Sequence, residues 1–588
     1  DGSVEGAFSI EKVTDEFYEQ YKELYLKLTE NTSLKETLER EGLDPVRFVK
    51  KLLGQIVFLY FLQKKGWLGV PKDQKMGEGP KNFLRKKFDE INEAGPERSR
   101  RDGGNYFNDF LRFLFYDALT KEHNDEGIKY YNKRLGCKIP FLNGGLFEAD
   151  YENWNTLDLN IDNFLLSNPN EKTKAGDKGT GILDVFDRYN FTIREDEPLE
   201  KEVAVDPEML GKVFENLLEV TDRKSKGAFY TPREIVHYMC QESLIHYLDN
   251  TVNNYTESFQ PIDSDQASLF GGSSNKKGNL KIEVENKGDI RVPKDDIAQF
   301  IRHGHLVLEN ETTVTGKGKE TGSYKYKLPE SIRNNAKALD KALADIKICD
   351  PAIGSGAFPV GLLQEIVTAR SVLYQAYLKE KLKSGKSSNS ANPDSDNYSP
   401  YNLKRHAIQQ SIYGVDIDQS AIDIARLRLW LSMIVDEEDY ETIDALPNLD
   451  YKIVCGNSLI GFPKDWQSPA FDKIEALKND FFDETDLVSK KEIKNQIDTE
   501  IQKRLETSER VFGYKVDFDF KLFFSEVWHY NNGFDIVMAN PPYVRQELIK
   551  EIKLILKKLY DVYNSTSDLY TYFYEASYNI LNNNGIST

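Results

Sequence analysis

The sequence predicts an α/β protein: a doubly wound parallel sheet preceded by a mainly α-helical region. Three observations predict it. Apolar runs of five or six residues recur in the second half, at Ile346–Asp350, Ile412–Asp416, Tyr451–Cys455 and Phe534–Ala539, with the length and composition of strands buried on both faces. Helical periodicities lie between them, from Phe358 to about Leu382 and from Ser420 to Val435, and strands alternating with helices build parallel, Rossmann-like sheets. Glycine, acidic or amide residues follow the runs, at the carboxyl ends where such sheets bind ligands.

Ahead of the sheet, residues 1 to about 200 read as helical. Phe17–Leu28, Val46–Leu62 and Tyr106–Leu119 carry apolar residues at helical spacing, and Pro140–Phe147 reads as a tight turn. This gives two domains, 1–200 and 201–588. The second carries an insert at about 263–321 that is rich in Gly, Ser, Lys and Asn, with strand-like runs at Leu280–Glu285 and His305–Glu309. Ser384–Pro400 is a low-complexity loop. At the other end, a helix from Asp568 to Leu581 runs into a turn, Asn582–Gly585, and Ile586 should begin another core strand. The catalytic fold is therefore expected to be incomplete here and to continue past Thr588.

Composition narrows the function classes. Charged residues make up 29% of the 588 and the net charge is −19, which argues against broad attraction to nucleic acid but not against a local basic cleft. Lys72–Lys87 and Arg223–Arg233 are the locally basic stretches, and each reads first as a solvated face. The four cysteines, Cys137, Cys240, Cys349 and Cys455, form no CxxC pair, so no metal site is expected and a reducing, cytoplasmic setting fits. No apolar run reaches membrane-spanning length.

The motifs fall at the strand ends. Asp350-Pro-Ala-Ile-Gly-Ser-Gly-Ala-Phe358 follows the first strand and opens a helix. Gly354 and Gly356 allow a tight turn and close approach to a ligand, and Asp350 offers an acceptor to a ligand ammonium. No Gly-Lys-Ser/Thr follows, so this is not a phosphate-binding loop. Asp416, at the end of the second strand, is placed for ribose hydroxyls, with Asp418 as the cap of the next helix. Asn457, after the third strand, is placed to meet an adenine edge.

Asn540-Pro-Pro-Tyr543 follows the fourth strand. An amino group conjugated to an aromatic ring is a weak nucleophile, because its lone pair is delocalised. Two acceptors drawing on its hydrogens free that lone pair. The Asn540 side chain and the Pro541 carbonyl supply them, and the prolines stiffen the turn. Tyr543 presents a ring for stacking on a planar base. Against a reactive methyl donor no strong base is needed, and alignment does most of the work.

With these motifs in place, the sequence resembles the γ-type amino-methyltransferases of DNA, especially the large type IIG-like enzymes of type II restriction-modification and related phage-defence systems. The resemblance spans at least Val205–Gly585. It includes Leu210–Leu218 and Lys226-Gly-Ala-Phe-Tyr-Thr-Pro-Arg233, in which Tyr230 and Thr231 match the element that contacts the cofactor's methionine part. It implies S-adenosyl-L-methionine as cofactor, held by Tyr230, Thr231, Asp350, Ala352, Gly354, Gly356, Asp416, Ile417, Asn457, Ser458 and Phe573. It implies Asn540, Pro541, Pro542 and Tyr543 as the catalytic element, acting on adenine N6 of double-stranded DNA after base flipping. Asn457 departs from the aspartate common at its position. A nuclease or specificity domain is expected outside this segment.

Four alternatives stand beside this. N4-cytosine is the other amino target, though serine is commoner before the Pro-Pro there. Protein-glutamine and RNA-guanine methyltransferases share the tetrapeptide but not the Lys226–Arg233 element. A nuclease within this chain would need a strand ending in Asp/Glu-x-Lys, for which Glu285–Lys287 and Asp519–Lys521 are the strand-like candidates. A fold kept only for binding would not need Asn540–Tyr543 intact.

Overall fold

A computed structural model describes residues 2–93, 104–142, 145–149, 151, 153–159, 161–191, 204–205, 231–253, 255–261, 280–286, 292–308, 327–383, 398–435, 437, 440, 446–464 and 472–588. Its centre is a five-stranded sheet of β1 (Ile348–Asp350), β2 (Ile412–Asp416), β3 (Ile453–Cys455), β4 (Phe534–Val537) and β5 (Leu581–Ser587). The order is β5-β4-β1-β2-β3, and every pair is parallel. All three residues of β1 are buried, as a strand covered on both faces requires. From β1 the chain steps one way to β2 and β3; β4 and β5 lie on the other side. The crevice at this reversal, beyond the carboxyl ends of β1 and β4, is where doubly wound sheets hold their ligands.

Four helices frame the crevice: α1 (Arg233–Asn253), α2 (Ala357–Lys383), α3 (Gln419–Val435) and α4 (Tyr570–Ile580). α2 packs on α1 and α3, and α1 also packs against β4 and β5. A Cβ at Gly361 would lie 2.7 Å from Val236 Cγ1, so glycine permits the close crossing of α1 and α2.

Helices Gly2–Thr29, Thr32–Arg40, Pro45–Lys65 and Phe83–Glu93 bear out the helical expectation for the first half of the leading region, but beyond Leu119 the described residues hold only short helical turns and the strand pairs Tyr131–Asn132 with Cys137–Lys138 and Asn190–Phe191 with Ala204–Val205. Pro45–Lys65 is buried along its length from Leu52 to Gln63 and packs against α3. One apolar core runs from Phe17 in the first helix to Met538 at the end of β4. Tyr106–Leu119 winds through two wide π-type segments, Phe107–Leu111 and Leu114–Ala118. The turn at 140–147 ends in a short 3-10 helix, Gly145–Phe147. Three of the six cations in the basic stretch 72–87 are ion-paired within the fold: Arg85 with Asp184 and Asp187, Lys72 with Glu126, and Lys87 with Glu90. Residues 223–230 and 384–397 of the sequence reading lie outside the described residues.

Several expected boundaries move: β1 begins at Ile348 instead of Ile346 and β4 ends at Val537 instead of Ala539, and three further shifts have visible causes. β3 begins at Ile453 instead of Tyr451, because the Tyr451 hydroxyl donates to Asp498 at 2.8 Å and its ring joins a separate cluster with Ile474, Phe481 and Ile497. The strand-like run at 305–309 is helical as far as 308. Gly304 keeps helical angles (φ −60°, ψ −33°), so the chain continues from helix Lys294–His303 into another turn that buries Val307. The expected turn at 582–585 is a bulge within β5. Phe534 pairs with Leu581 and Ile536 with Ile586, so a step of two residues (534 to 536) faces a step of five (581 to 586).

Among the described residues no helix is long and apolar enough to cross a membrane, and no His, Cys, Asp or Glu group is arranged to hold a metal ion.

Beside the sheet, Glu526 accepts from Lys452 at 3.1 Å and Lys478 at 3.3 Å, and Lys452 also donates to the Tyr413 hydroxyl at 2.7 Å. Burial alone would raise the Glu526 carboxyl, but Lys478 and Lys452 outweigh it and hold the group at about 2. A carboxylate depressed on folding stabilises the protein above its unfolded value, and that contribution is lost as pH falls from about 4.5 towards 2. Thermal unfolding followed by circular dichroism should therefore show a steeper loss of Tm over this window in the native protein than in Glu526→Gln. Parallel curves would remove this group from the acid response.

Candidate active site

The glycine loop is held from four directions. Asp350, buried at the end of β1, accepts from Ala352 N–H at 3.0 Å. Ile353 N–H donates to Val415 O at 2.9 Å, and Gly354 N–H donates to Asp416 Oδ2 at 3.0 Å. Arg428, buried in α3, donates to Ser355 O at 2.9 Å and Ser355 Oγ at 3.1 Å. Gly356 sits at φ +84°, and a Cβ there would come within 3.1 Å of Ala425 Cβ on α3. Both the left-handed backbone and the close approach require glycine.

Asp416 is the junction of this arrangement. Besides Gly354, its Oδ1 accepts from Asp418 N–H at 2.8 Å, and Asp418 accepts from Ser420 N–H at 2.8 Å to cap α3. The neighbouring Ile417 leaves 65% of its surface exposed just beyond the strand end. Burial, together with Asp416 and Asp418, pushes the nearby Cys455 thiol up to about 11, so it stays neutral.

The turn after β3 closes the far side. Asn457 Oδ1 accepts from Leu459 N–H at 3.0 Å, and its own N–H donates to Asp517 Oδ1 at 3.3 Å. The Ser458 hydroxyl donates to Pro351 O at 2.5 Å, tying this turn to the glycine loop. Phe573 of α4 is buried in a small cluster with Leu459, Val544 and Tyr572, against which Ala352 packs.

The Asn-Pro-Pro-Tyr turn lies across the crevice. Asn540 Nδ2 donates to Thr231 Oγ1 at 3.1 Å. In this orientation the nitrogen end of the amide meets Thr231 and the oxygen end is turned away from it. Pro542 O accepts from Val544 N–H at 3.0 Å, which tightens the turn. Pro541 and Pro542 are half-buried, and Tyr543 is 54% exposed with its ring centroid 5.7 Å from that of Tyr570.

The structure thus brings together Thr231 with Asn540, Asp416 with Gly354, Ser458 with the glycine loop, and Ala352 with the Phe573 cluster. Tyr230 and the 210–218 element lie outside the described residues. Sequence reasoning missed Arg428, although an arginine amid Leu427, Leu429 and Trp430 is a legible sign of a buried partner. It also missed Asp517, for which the sequence offers no signal.

Of the two nuclease candidates only Asp519–Lys521 lies wholly within the described residues, and it does not form a strand end. Glu285 lies in the hairpin of Tyr255–Pro261 with Leu280–Asn286, and Lys287 is outside the described residues. Asp519 is a buried helix cap that accepts from Lys521 N–H and Leu522 N–H at 3.0 and 3.1 Å, so Asp519–Lys521 is a helix start and not a strand.

A cavity of about 410 Å³ lies elsewhere, between Pro45–Lys65, α3 and helix Leu487–Leu505. Its charges are paired with one another, Lys494 with Asp450 at 2.7 Å and Arg47 with Asp423 at 3.8 Å. It reads as a solvated seam between the leading helices and the sheet.

Comparison with known proteins agrees with this geometry. Residues 410–588 match the model of the Eco57I restriction-modification methylase family. The chain is 26% identical over 428 residues to a putative type II restriction enzyme and methyltransferase of Methanocaldococcus jannaschii, covering 71% of this chain and 28% of that protein. It is 26% identical over 398 residues to the type II restriction enzyme and methyltransferase RM.Eco57I of Escherichia coli, covering 64% of this chain and 34% of that protein. The chain therefore spans about a third of the length of these relatives. Among solved structures, the type IIL restriction-modification enzyme MmeI in complex with DNA aligns with 96% of this chain and 48% of its own, at 12% identity and a TM-score of 0.45.

Proposed function

We propose, on the premise that residues 410–588 form an Eco57I-type restriction-modification methylase domain, that this protein transfers a methyl group from S-adenosylmethionine to adenine N6 of double-stranded DNA. The observation that carries the reading is the placement of the Asn540 amide, fixed by Thr231, at the crevice mouth beside the glycine loop, with the exposed Tyr543 ring next to it.

The donor set suits that cofactor. Asp350 offers a carboxylate to the amino-acid ammonium, Asp416 to the ribose hydroxyls, Asn457 and Ser458 polar groups to the adenine edge, and Ile417 and Phe573 apolar faces to the adenine plane. Tyr230 and Thr231 complete the methionine side. When bound, S-adenosylmethionine supplies an electrophilic methyl on a sulfonium. The chain's own part is positioning. Asn540 Oδ1 and the Pro541 carbonyl accept the two amino hydrogens and keep the nitrogen lone pair directed at the methyl. Pro541 and Pro542 hold that geometry, and Tyr543 stacks on the base. The target must leave the duplex, because its amino group is otherwise engaged in pairing.

The test is tritiated methyl transfer to DNA by the full-length protein, with product nucleosides separated. N6-methyladenine is the expected product. N4-methylcytosine would reverse the choice of base, and transfer only to protein or RNA would overturn the reading. In the same assay Tyr543→Ala should weaken DNA capture by about 1–3 kcal/mol, the usual worth of one base–aromatic stack, while Tyr543→Phe keeps most of it. Equal losses in the two variants would show that the hydroxyl, and not the ring face, carries the contact.

A further inference from the structure

The Asn-Pro-Pro-Tyr turn does not stand alone on β4. Its continuation is fastened to the residues that lead into α4. Val544 O accepts from Leu569 N–H at 2.9 Å, and Asp568 Oδ1 accepts from Gln546 N–H at 2.8 Å. Next to the Val544–Leu569 bond the Tyr570 ring leans on Tyr543, with centroids 5.7 Å apart and planes 46° apart. Lys553 braces the same loop, donating to Ser565 O at 2.7 Å and to the Gln546 side chain. Directly behind the turn, Val544 is buried in the cluster that contains Phe573 and Leu459 and receives Ala352.

Three consecutive residues, Asp568, Leu569 and Tyr570, thus hold the base-stacking ring from one side. Phe573, one helical turn further on, is buried in the cluster against which Ala352 of the glycine loop packs. A ring that is 54% exposed would otherwise sample many rotamers, and ordering it on contact with DNA would reduce affinity. A group filling the crevice against Ala352 and Phe573 presses on the same small cluster that seats Val544. Sites joined through one packed unit influence each other reciprocally.

We propose that Asp568 and Tyr570 are positioning residues that hold Tyr543 in its base-accepting pose, and that the Val544–Phe573 cluster couples this pose to occupancy of the cofactor crevice. This rests on the methyltransferase reading above and adds the means by which cofactor and DNA sites communicate.

The experiment uses the full-length protein and a duplex that the native protein methylates. KM for DNA, kcat, the Kd for S-adenosylmethionine and the Kd for DNA with and without S-adenosylhomocysteine are measured for native, Tyr570→Ala, Tyr570→Phe, Asp568→Ala and Asp568→Asn proteins. Tyr570→Ala and Asp568→Ala should raise the KM for DNA about tenfold, the size of one lost bond or contact of this kind. The cofactor Kd and Tm should change little. The native protein should bind DNA more tightly with S-adenosylhomocysteine than without it, and this tightening should disappear in both. Tyr570→Phe and Asp568→Asn should restore most of each effect, since they keep the ring and the acceptor. Unchanged KM and unchanged coupling in the alanine variants would overturn the proposal, as would losses shared equally by cofactor and DNA binding. Absence of transfer to any DNA by the native protein is a different failure, and removes the reading on which the proposal rests.

Discussion

Replacing Asn540 by alanine should lower kcat for methyl transfer by about 100-fold or more while leaving the affinity for S-adenosylmethionine within about twofold. The magnitude follows from other sites in which one preorganised polar group acts on the reacting atoms, where its removal typically costs about 3 kcal/mol of transition-state stabilisation. The asymmetry follows from the chemistry. The Asn540 oxygen matters most as the amino nitrogen gathers its lone pair for attack, so its loss falls on turnover more than on ground-state binding. Thr231→Val gives a graded version. It removes the acceptor for Asn540 Nδ2, found at 3.1 Å, so the amide can rotate and present nitrogen in place of oxygen. Its loss in kcat should be smaller than that of Asn540→Ala, and Thr231→Ser should recover most of it. Single-turnover transfer and calorimetric cofactor titration measure the two quantities separately. Near-native turnover by Asn540→Ala would sink the mechanism, and a parallel fall in cofactor affinity would move Asn540 into the cofactor site.

The strands and the loops that follow them were legible because local rules and the global fold agree there. Ile412–Asp416 is an apolar run bounded by an acid, and it forms with those same limits. The glycine loop is legible because both its glycines sit at positive φ, +52° at Gly354 and +84° at Gly356, which few other residues adopt. Legibility ends where tertiary packing overrides local preference. The run at 305–309 has strand composition, yet the core recruits Val307 from a helical turn. Tyr451 looks like strand but is drawn off by Asp498. Asn582–Gly585 has turn composition and is absorbed as a bulge, because Leu581 and Ile586 both find partners on β4. Pairings between distant parts leave no trace in one sequence. Thr231 and Asn540 meet across 309 positions, and the Asp568–Gln546 bond ties the expected start of a helix to a loop 22 positions earlier.

Asp416 should prove the residue on which cofactor binding and loop order depend together. On the proposed reading its strand-end position serves ribose hydroxyls, and its carboxylate also accepts from Gly354 N–H at 3.0 Å and Asp418 N–H at 2.8 Å. Asp416→Ala removes both intramolecular bonds and the ligand contacts. Hydrogen bonds to charged groups contribute about 1.5–3 kcal/mol each, so affinity for S-adenosylmethionine should fall by about 100-fold or more, with a lowered Tm in the absence of cofactor. Asp416→Asn separates the two roles. Its single side-chain oxygen can serve Gly354 or Asp418 but not both, and its amide nitrogen can still donate to a ribose oxygen. Part of the Tm should return while cofactor affinity stays low. Gly356→Val is the steric counterpart, since its Cβ would sit 3.1 Å from Ala425 Cβ on a backbone at φ +84°. It should lose cofactor binding with Asp350 and Asp416 both intact. Calorimetric titration and thermal unfolding of the three variants decide the matter. Native cofactor affinity in both Asp416→Ala and Gly356→Val would remove this crevice as the cofactor site.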